Sequence, residues 1–161
     1  MKYILCLILI VICFLIAKGL SNQYKDRKQF LEITISFIDY ISNEIRFRSC
    51  PIKQLCYSFD NSNILFNKTL QLYSQSLLSG EQFYLGDKEF QIFTNAERLN
   101  VEELFNCLGK YDTMSQLLEL SHCRKNIEVL KDEAIKEYKK YSSLYLKLGL
   151  IIGIAISILL L

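Results

Sequence analysis

Proline, glycine and histidine are scarce in this sequence, and each scarcity excludes a class of structure or site. The chain has one Pro and six Gly, which lie at the ends of predicted elements or in the last apolar run. Nothing alternates as a β-strand would, so the predicted fold is all-α. His122 is the single histidine and no CxxC pair occurs, so the usual spacing of a zinc site is missing. We expect neither a metal nor another cofactor.

Charge is also limited. The 161 residues include 19 Lys and Arg against 17 Asp and Glu, and the residues between 21 and 143 are close to neutral. A nucleic-acid-binding protein would need a dense basic face, so that class is excluded. The sequence has no phosphate-binding Gly-rich loop and no Ser/His/Asp set, so we predict that the protein is not an enzyme.

Both ends of the chain are apolar. Residues 3–17 and 148–161 carry no charge, and Lys147 can extend its ammonium to a membrane interface. We predict an N-terminal transmembrane anchor at residues 1–20, a cytoplasmic helical domain at 21–143 and a C-terminal transmembrane anchor at 144–161. A cleaved signal peptide is the alternative for the first segment, but Lys18 within the cleavage site disfavours it.

The basic residues predict the orientation of the two anchors. They cluster on the inner side of each apolar run, and only Lys2 lies on an outer side. The positive-inside rule therefore places the middle domain in the cytoplasm. The clustered residues are Lys18, Lys25, Arg27, Lys28, Lys136, Lys139, Lys140 and Lys147. Six Cys without paired spacing agree with a reducing compartment.

Apolar periodicity and turn residues predict the helices of the middle domain. The first helix continues the N-terminal anchor and ends before Pro51, which suits the first position of the next helix. Asn100 and Glu103 have the spacing of a capping box, and Asp112 or Thr113 caps a final helix that continues unbroken into the second anchor. The predicted intermediate helices cover 51–58, 64–78 (closed by Gly80), 87–93 and 101–108 (closed by Gly109).

Two further motifs have a functional and a plain interpretation. Gly149, Gly153 and Ser157 recur every four residues, which lets the first anchor or a partner's helix come close, although Gly is simply common in membrane helices. His122 beside Cys123 could suggest a cofactor site in a membrane-bound enzyme. An ordinary helix pair is the favoured interpretation, because Cys107 is 16 residues away without paired spacing.

The residues around the start of the final helix carry a family resemblance. Leu108, Gly109, Asp112 and Gln116 resemble the Leu-Gly, Asp, Gln signature of the stage III sporulation protein AB family. Other positions of this chain resemble the same family. Glu44-Ile45 before Pro51-Ile52 resembles its Glu-Ile, Pro-Leu step, Ser79-Gly80 resembles its Ser-Gly turn, and residues 148–161 resemble its Gly-containing terminal anchor. The resemblance covers nearly the full length. Cys50 and the segment 81–93, which lacks the family's Ala-Trp pair, depart from it.

The resemblance implies a function. Members of this family are expected to be non-enzymatic components, required for spore formation, of the channel complex between mother cell and forespore. The helical domain would be a compact multi-helix bundle similar to the cytoplasmic domain of the type II secretion inner-membrane platform protein. Its location would be the mother-cell membrane. The implied partners are a cytoplasmic AAA-like ATPase, stage III sporulation protein AA, other components of the complex and further copies of this chain.

The resemblance also suggests site residues. Glu44, Pro51, Gly109, Asp112 and Gln116 are the candidate partner-binding or structural positions. Gly109 would supply a positive φ, Asp112 would cap the final helix and Gln116 would hydrogen-bond back across the turn. The same turn is alternatively a docking surface. A small membrane-permeabilising, holin-like protein is the main functional alternative.

Overall fold

The computed structural model describes residues 2–47, 51–86 and 90–160, without the side chains of residues 2–7, 9, 159 and 160. The described residues form five helices and no strand, which confirms the all-α prediction for this part of the chain. The helices are α1 (Lys2–Phe47), α2 (Ile52–Ser58), α3 (Ile64–Ser79), α4 (Asn95–Cys107) and α5 (Thr113–Leu160).

Contacts divide the chain into two compact units. The first, here called the paired-helix unit, comprises Met1–Lys28 and Glu133–Leu161, and the second, the aromatic-core unit, comprises Gln29–Asp132. Helices α1 and α5 each contribute to both units. The final helix is continuous over its 48 residues, as predicted from the absence of Pro and Gly between Met114 and Lys147.

The aromatic-core unit is built around phenylalanines from four segments. Phe66 of α3 is fully buried, and its ring centre lies 5.3 Å from that of Phe37 on α1 and 6.4 Å from that of Phe105 on α4. Phe83 lies 4.9 Å from Phe105. Helix α5 closes this core with residues spaced three and four apart, namely Leu120, Cys123 and Ile127.

Two predicted helix starts are wrong in position. Pro51 is the N-cap of α2 rather than its first helical residue, with φ −60° and ψ 135°, and its carbonyl accepts from the N–H groups of Gln54 and Leu55. The predicted capping box at Asn100 and Glu103 is wrong. Helix α4 starts at Asn95, where Thr94 accepts from the N–H of Glu97 and the Glu97 carboxylate accepts from the N–H of Thr94.

The segment before α4 also differs from its prediction. The predicted helix 87–93 begins in residues 87–89, which lie outside the described residues. Its described part is a turn, closed by a hydrogen bond of 3.0 Å from the Phe93 N–H to the Phe90 carbonyl. Side chains of α4 hold the preceding segment: Asn106 bonds both backbone groups of Phe83, and Glu102 accepts from the N–H of Leu85. Buried backbone groups that lack a helical partner are thereby satisfied.

Candidate functional site

Two glycines of α5 lie in close contact with α1 in the paired-helix unit. A Cβ atom on Gly149 would lie 2.4 Å from the Cβ of Ala17 and 3.2 Å from the carbonyl oxygen of Cys13. A Cβ atom on Gly153 would lie 3.2 Å from the Cα of Ile10. Because Ala17 has no flexible atoms to move, only glycine fits at position 149. The structure therefore places both glycines against α1, and this contact is possible because glycine has no Cβ atom.

Ser157 completes the four-residue repeat in a different way. Its side chain is buried, with 5% of its surface exposed, and its hydroxyl donates to the carbonyl of Gly153 at 2.8 Å. A hydroxyl that bonds within its own helix can lie in an apolar environment without an unsatisfied donor.

Polar side chains continue the contact between α1 and α5 toward the charged part of this unit. The hydroxyls of Ser21 and Ser142 are 2.8 Å apart. Arg27 is buried and forms an ion pair with Glu137. We call the whole contact line the seam, and its members are Ile10, Cys13, Ala17, Ser21, Tyr24, Arg27, Glu137, Tyr141, Ser142, Tyr145, Gly149 and Gly153.

Three tyrosines form one cluster on the seam. The ring of Tyr24 stacks on those of Tyr141 and Tyr145, with centroid distances of 5.5 and 5.9 Å. The Lys28 ammonium lies 5.8 Å from the centre of the Tyr138 ring, and that of Lys140 lies 5.1 Å from the centre of Tyr141. These distances allow cation–π attraction.

The outward faces of the paired-helix unit are apolar. Large aliphatic side chains are exposed on both helices, including Ile16 with 61% and Ile158 with 69% of their surface. The other exposed aliphatic residues are Ile8, Val11, Ile12, Leu15, Leu20, Leu144, Leu148, Leu150, Ile151, Ile152, Ile154 and Ile156. Small and hydroxyl side chains thus lie inside this unit and branched aliphatic ones outside.

One helix segment among the described residues, Thr113–Ile158, is long and apolar enough to cross a membrane by length and composition. Its most apolar window has a mean hydropathy of 1.7, and 17% of that window is buried. The predicted N-terminal anchor at 1–20 includes Met1, which lies outside the described residues, and residues 2–7 and 9, whose side chains are not described.

The turn between α4 and α5 brings three of the candidate residues together. Gly109 has φ 76°, a backbone conformation that residues other than glycine rarely adopt. Its N–H donates to Oε1 of Gln116 at 2.9 Å. The Asp112 carboxylate accepts from the N–H groups of Met114 and Ser115 at 3.2 and 3.3 Å, which caps α5. The Ser115 hydroxyl and, to a smaller extent, the Ser115 N–H donate hydrogen bonds to the Asp112 carboxylate and lower its pKa.

The other two candidate residues lie on other elements. Pro51 is exposed at the start of α2, and the Cδ1 atom of the next residue, Ile52, lies 2.9 Å from where a Cβ on Gly109 would be. Glu44 is half-buried on α1. The turn at Gly109 therefore lies close to α2 at Ile52, and Glu44 lies on a different helix, α1.

His122 and Cys123 do not share an environment. His122 is exposed, whereas Cys123 is buried and hydrogen-bonded to the thiol of Cys107. That bond lowers the pKa of Cys107 and raises the pKa of Cys123. Within the described ranges, no group of three or more His, Cys, Asp and Glu side chains is arranged to hold a metal. The thiol pair has no spacing signal in the sequence, because its members belong to different helices.

Comparison with known families gives one finding that covers almost the whole chain. The family model for stage III sporulation protein AB matches residues 2–161. Comparison with curated proteins and with solved structures gives no match. The matched range includes the seam glycines, the turn at Gly109 and the aromatic core. The chain belongs to the stage III sporulation protein AB family.

Proposed function

We propose that this protein is a non-enzymatic membrane platform of the sporulation channel complex between mother cell and forespore. The family gives a role in stage III of sporulation. In the proposal, both ends of the chain anchor it in the mother-cell membrane, and the aromatic-core unit is a cytoplasmic bundle of the type II secretion platform kind. This bundle couples a cytoplasmic AAA-like ATPase, stage III sporulation protein AA, to the membrane part of the complex.

The observation that carries the proposal is the inverted packing of the paired-helix unit. In water, exposed aliphatic side chains such as Ile16 and Ile158 cost about 25 cal/mol for each Å² of apolar surface. In a bilayer the same aliphatic surface contacts lipid tails that are equally apolar, so its exposure has no such cost. Helices there are held together by close contact of small residues. The arrangement of Gly149, Gly153 and Ala17 inside and isoleucines outside fits lipid as the surroundings.

The polar side chains of the aromatic-core unit support a structural role. Asn106, Glu102 and Glu97 each bond the backbone of a segment outside the helices, and Gln116 bonds the turn at Gly109. Groups that hold loops in place give a body of fixed shape, which is what a platform needs to present a surface to a partner.

A deletion tests the platform against the holin-like alternative. Removal of residues 25–135 takes away the aromatic-core unit and keeps both apolar ends, with the seam contacts at Ala17, Ser21, Ser142 and Gly149. We expect the deleted protein to reach the membrane and to fail to support spore formation. Membrane permeabilisation that survives the deletion would favour the holin-like function instead.

Partner binding is tested with the full-length chain in a mild uncharged detergent. We expect it to co-purify with the candidate ATPase and the 25–135 deletion not to do so. Proteolysis of intact cells from outside checks the sidedness, because a cytoplasmic body is protected until the membrane is opened. Digestion of the central region in intact cells would contradict both the orientation and the partnership with an internal ATPase.

A further inference from the structure

We propose that the paired-helix unit carries a binding surface for the phosphate groups of anionic phospholipids in the cytoplasmic leaflet. The surface consists of four lysines, Lys18, Lys25, Lys140 and Lys147, and of the tyrosine cluster Tyr24, Tyr141 and Tyr145. We call it the lysine–tyrosine girdle. The inference rests on the proposed membrane insertion and adds a ligand to it.

The seam contacts define levels along the pair, and the levels locate the girdle. Ala17 lies against Gly149, and Ser21 lies opposite Ser142. Lys18 follows Ala17 by one residue and Lys147 precedes Gly149 by two, so the first charge after each apolar run occurs at nearly the same level. Two helices that run in opposite directions thus leave the apolar layer together.

The girdle spans the depth of a lipid headgroup layer and extends slightly beyond it. From Lys18 to Lys25, α1 rises by about 10 Å at 1.5 Å per residue. The headgroup region adds roughly 5 to 8 Å to each side of the hydrocarbon core. At the far level, Tyr24 stacks on Tyr141 and Tyr145, and tyrosine is enriched at membrane interfaces because its ring is apolar and its hydroxyl is polar.

The girdle lysines are exposed to the surroundings of the pair and not to its seam. Lys18 and Lys25 each follow a seam residue by one position, and Lys140 precedes one by one position. A step of one residue turns about 100° around an α-helix, so these side chains flank the seam. All four girdle lysines are exposed, and Lys140 is held over the ring of Tyr141.

Charge favours an anionic ligand at this level. Residues 18–28 and 133–147 contain eight basic and three acidic residues, a net charge of +5, whereas the whole chain has +2. One of the three acidic residues, Glu137, is paired with Arg27 on the seam. Basic side chains near an anionic leaflet are attracted to it, and clusters of four or more beside a span are typical of anionic-lipid binding.

Lipid titration of the full-length chain tests the girdle. The protein in uncharged detergent is titrated with phosphatidylglycerol or with phosphatidylcholine of the same acyl chains, and native mass spectrometry counts the bound lipids. We expect tighter binding of phosphatidylglycerol. Equal affinity for the two lipids would overturn the inference. Full competition by inorganic phosphate at constant ionic strength would also overturn it, because the site would then bind a free anion.

A matched pair of variants assigns the binding to the girdle. The girdle variant carries Lys18→Gln, Lys140→Gln and Lys147→Gln. The control carries Lys53→Gln, Lys110→Gln and Lys125→Gln, which remove the same charge from exposed positions of the aromatic-core unit. We expect the girdle variant to lose phosphatidylglycerol affinity by about tenfold to 100-fold and the control by less than about twofold. Equal losses would show general charge attraction and overturn the assignment.

Two further measurements separate the remaining outcomes. Circular dichroism checks that the girdle variant folds; if it does not, the smaller variant Lys18→Gln with Lys147→Gln replaces it, is compared with Lys53→Gln with Lys110→Gln, and is again expected to lose more phosphatidylglycerol affinity than its control. A girdle variant that retains the lipid preference but loses the ATPase would assign the lysines to a protein partner. Extraction of wild-type membranes with alkaline carbonate tests insertion alone: release of the protein contradicts the proposed function, whereas insertion without lipid preference contradicts only this inference.

Discussion

The two units of this protein place opposite kinds of side chain in their interiors. The aromatic-core unit buries Phe30, Phe37, Phe66 and Phe105, and its buried carboxylate, that of Glu97, accepts from the N–H of Thr94. The paired-helix unit buries glycine, alanine and serine, and exposes isoleucine and leucine. Both units are helical, so the difference is not one of secondary structure.

The comparison teaches that the surroundings decide what an interior is made of. In water, large apolar side chains are removed from solvent, and rings of Phe fill the core with the largest area. In lipid, aliphatic side chains gain nothing by burial, so helices associate through close backbone contact and through polar groups. Loss of a large side chain should therefore be severe in the aromatic-core unit, and addition of a small group should be severe on the seam. The first two of the four experiments below test this contrast, and the other two test helix starts of the aromatic-core unit.

The largest effect is expected from truncation of an aromatic residue in the aromatic-core unit. Phe66→Ala removes a fully buried ring that contacts rings from α1 and α4, and should lower the free energy of unfolding by about 3–5 kcal/mol. Leu78→Ala on the same helix is the control, because 73% of Leu78 is exposed and the change should stay within about 0.5 kcal/mol. Guanidinium unfolding followed by circular dichroism measures both, and similar losses would contradict the described core.

The seam gives the next largest effect, and the change is the addition of one methyl group. Gly149→Ala places that carbon 2.4 Å from the Cβ of Ala17 and should destabilise the pair by about 1–3 kcal/mol. Gly153→Ala, with its nearest atom at 3.2 Å, should cost less. Gly19→Ala meets nothing within 4 Å and should be neutral or stabilising, since alanine favours helix by about 1 kcal/mol.

Thermal unfolding in detergent ranks these glycine variants. The decisive experiment is a double variant that exchanges the two residues. Ala17→Gly in the Gly149→Ala background removes the methyl group that the one added at position 149 would otherwise meet. Recovery of stability in the exchanged protein supports the direct contact. A lasting loss in that protein would mean that another neighbour opposes the methyl group.

A smaller effect should identify the start of α4. Thr94→Ala removes the side-chain acceptor of the capping box and should cost about 1 kcal/mol. Asn100→Ala lies within the helix, where the Asn100 amide only donates to the Ala96 carbonyl, and should change stability by about 0.5 kcal/mol or less. Urea unfolding compares the two. The reverse order would restore Asn100 as the cap.

The smallest effect is a dependence on pH at Asp112. The hydrogen bonds that lower its pKa stabilise the folded protein above the ordinary carboxyl pKa of about 3.9, and this contribution is lost as the pH falls through the lowered value. The difference in melting temperature between the wild type and Asp112→Asn should therefore be constant above about pH 5 and shrink below about pH 4. A difference that grows on acidification would contradict the capping role of the carboxylate.

The helix content and several ends were predictable from local patterns. Gly80 and Gly109 have φ of 72° and 76°, as expected where a helix ends at a glycine. On α5, the buried residues Leu120, Ile127 and Ala134 follow one another at the seven-residue spacing of a helix face, which the sequence shows directly. The sequence offers two capping-box spacings near the start of α4, Thr94 with Glu97 and Asn100 with Glu103, and only the first follows a turn and opens the helix in the described structure.

Contacts between distant residues were not predictable in the same way. On α3, Thr69 is buried together with Phe66, Leu70 and Tyr73, and its hydroxyl donates to the Leu65 carbonyl, which lets a polar side chain lie in the core. The glycine repeat indicated that something approaches α5, but no pattern in the sequence singles out Ala17 or pairs Ser21 with Ser142. Such pairs depend on the relative register of two helices, which a single sequence does not encode locally.

The contact of Ala17 with Gly149 also sets an order of events during synthesis. The second residue of this contact follows the first by 132 positions, and translation proceeds at about 5–20 residues per second. The first helix is therefore made many seconds before its companion exists. In the proposed function this helix enters the bilayer before the seam exists, and the middle of the chain is complete before the two ends meet.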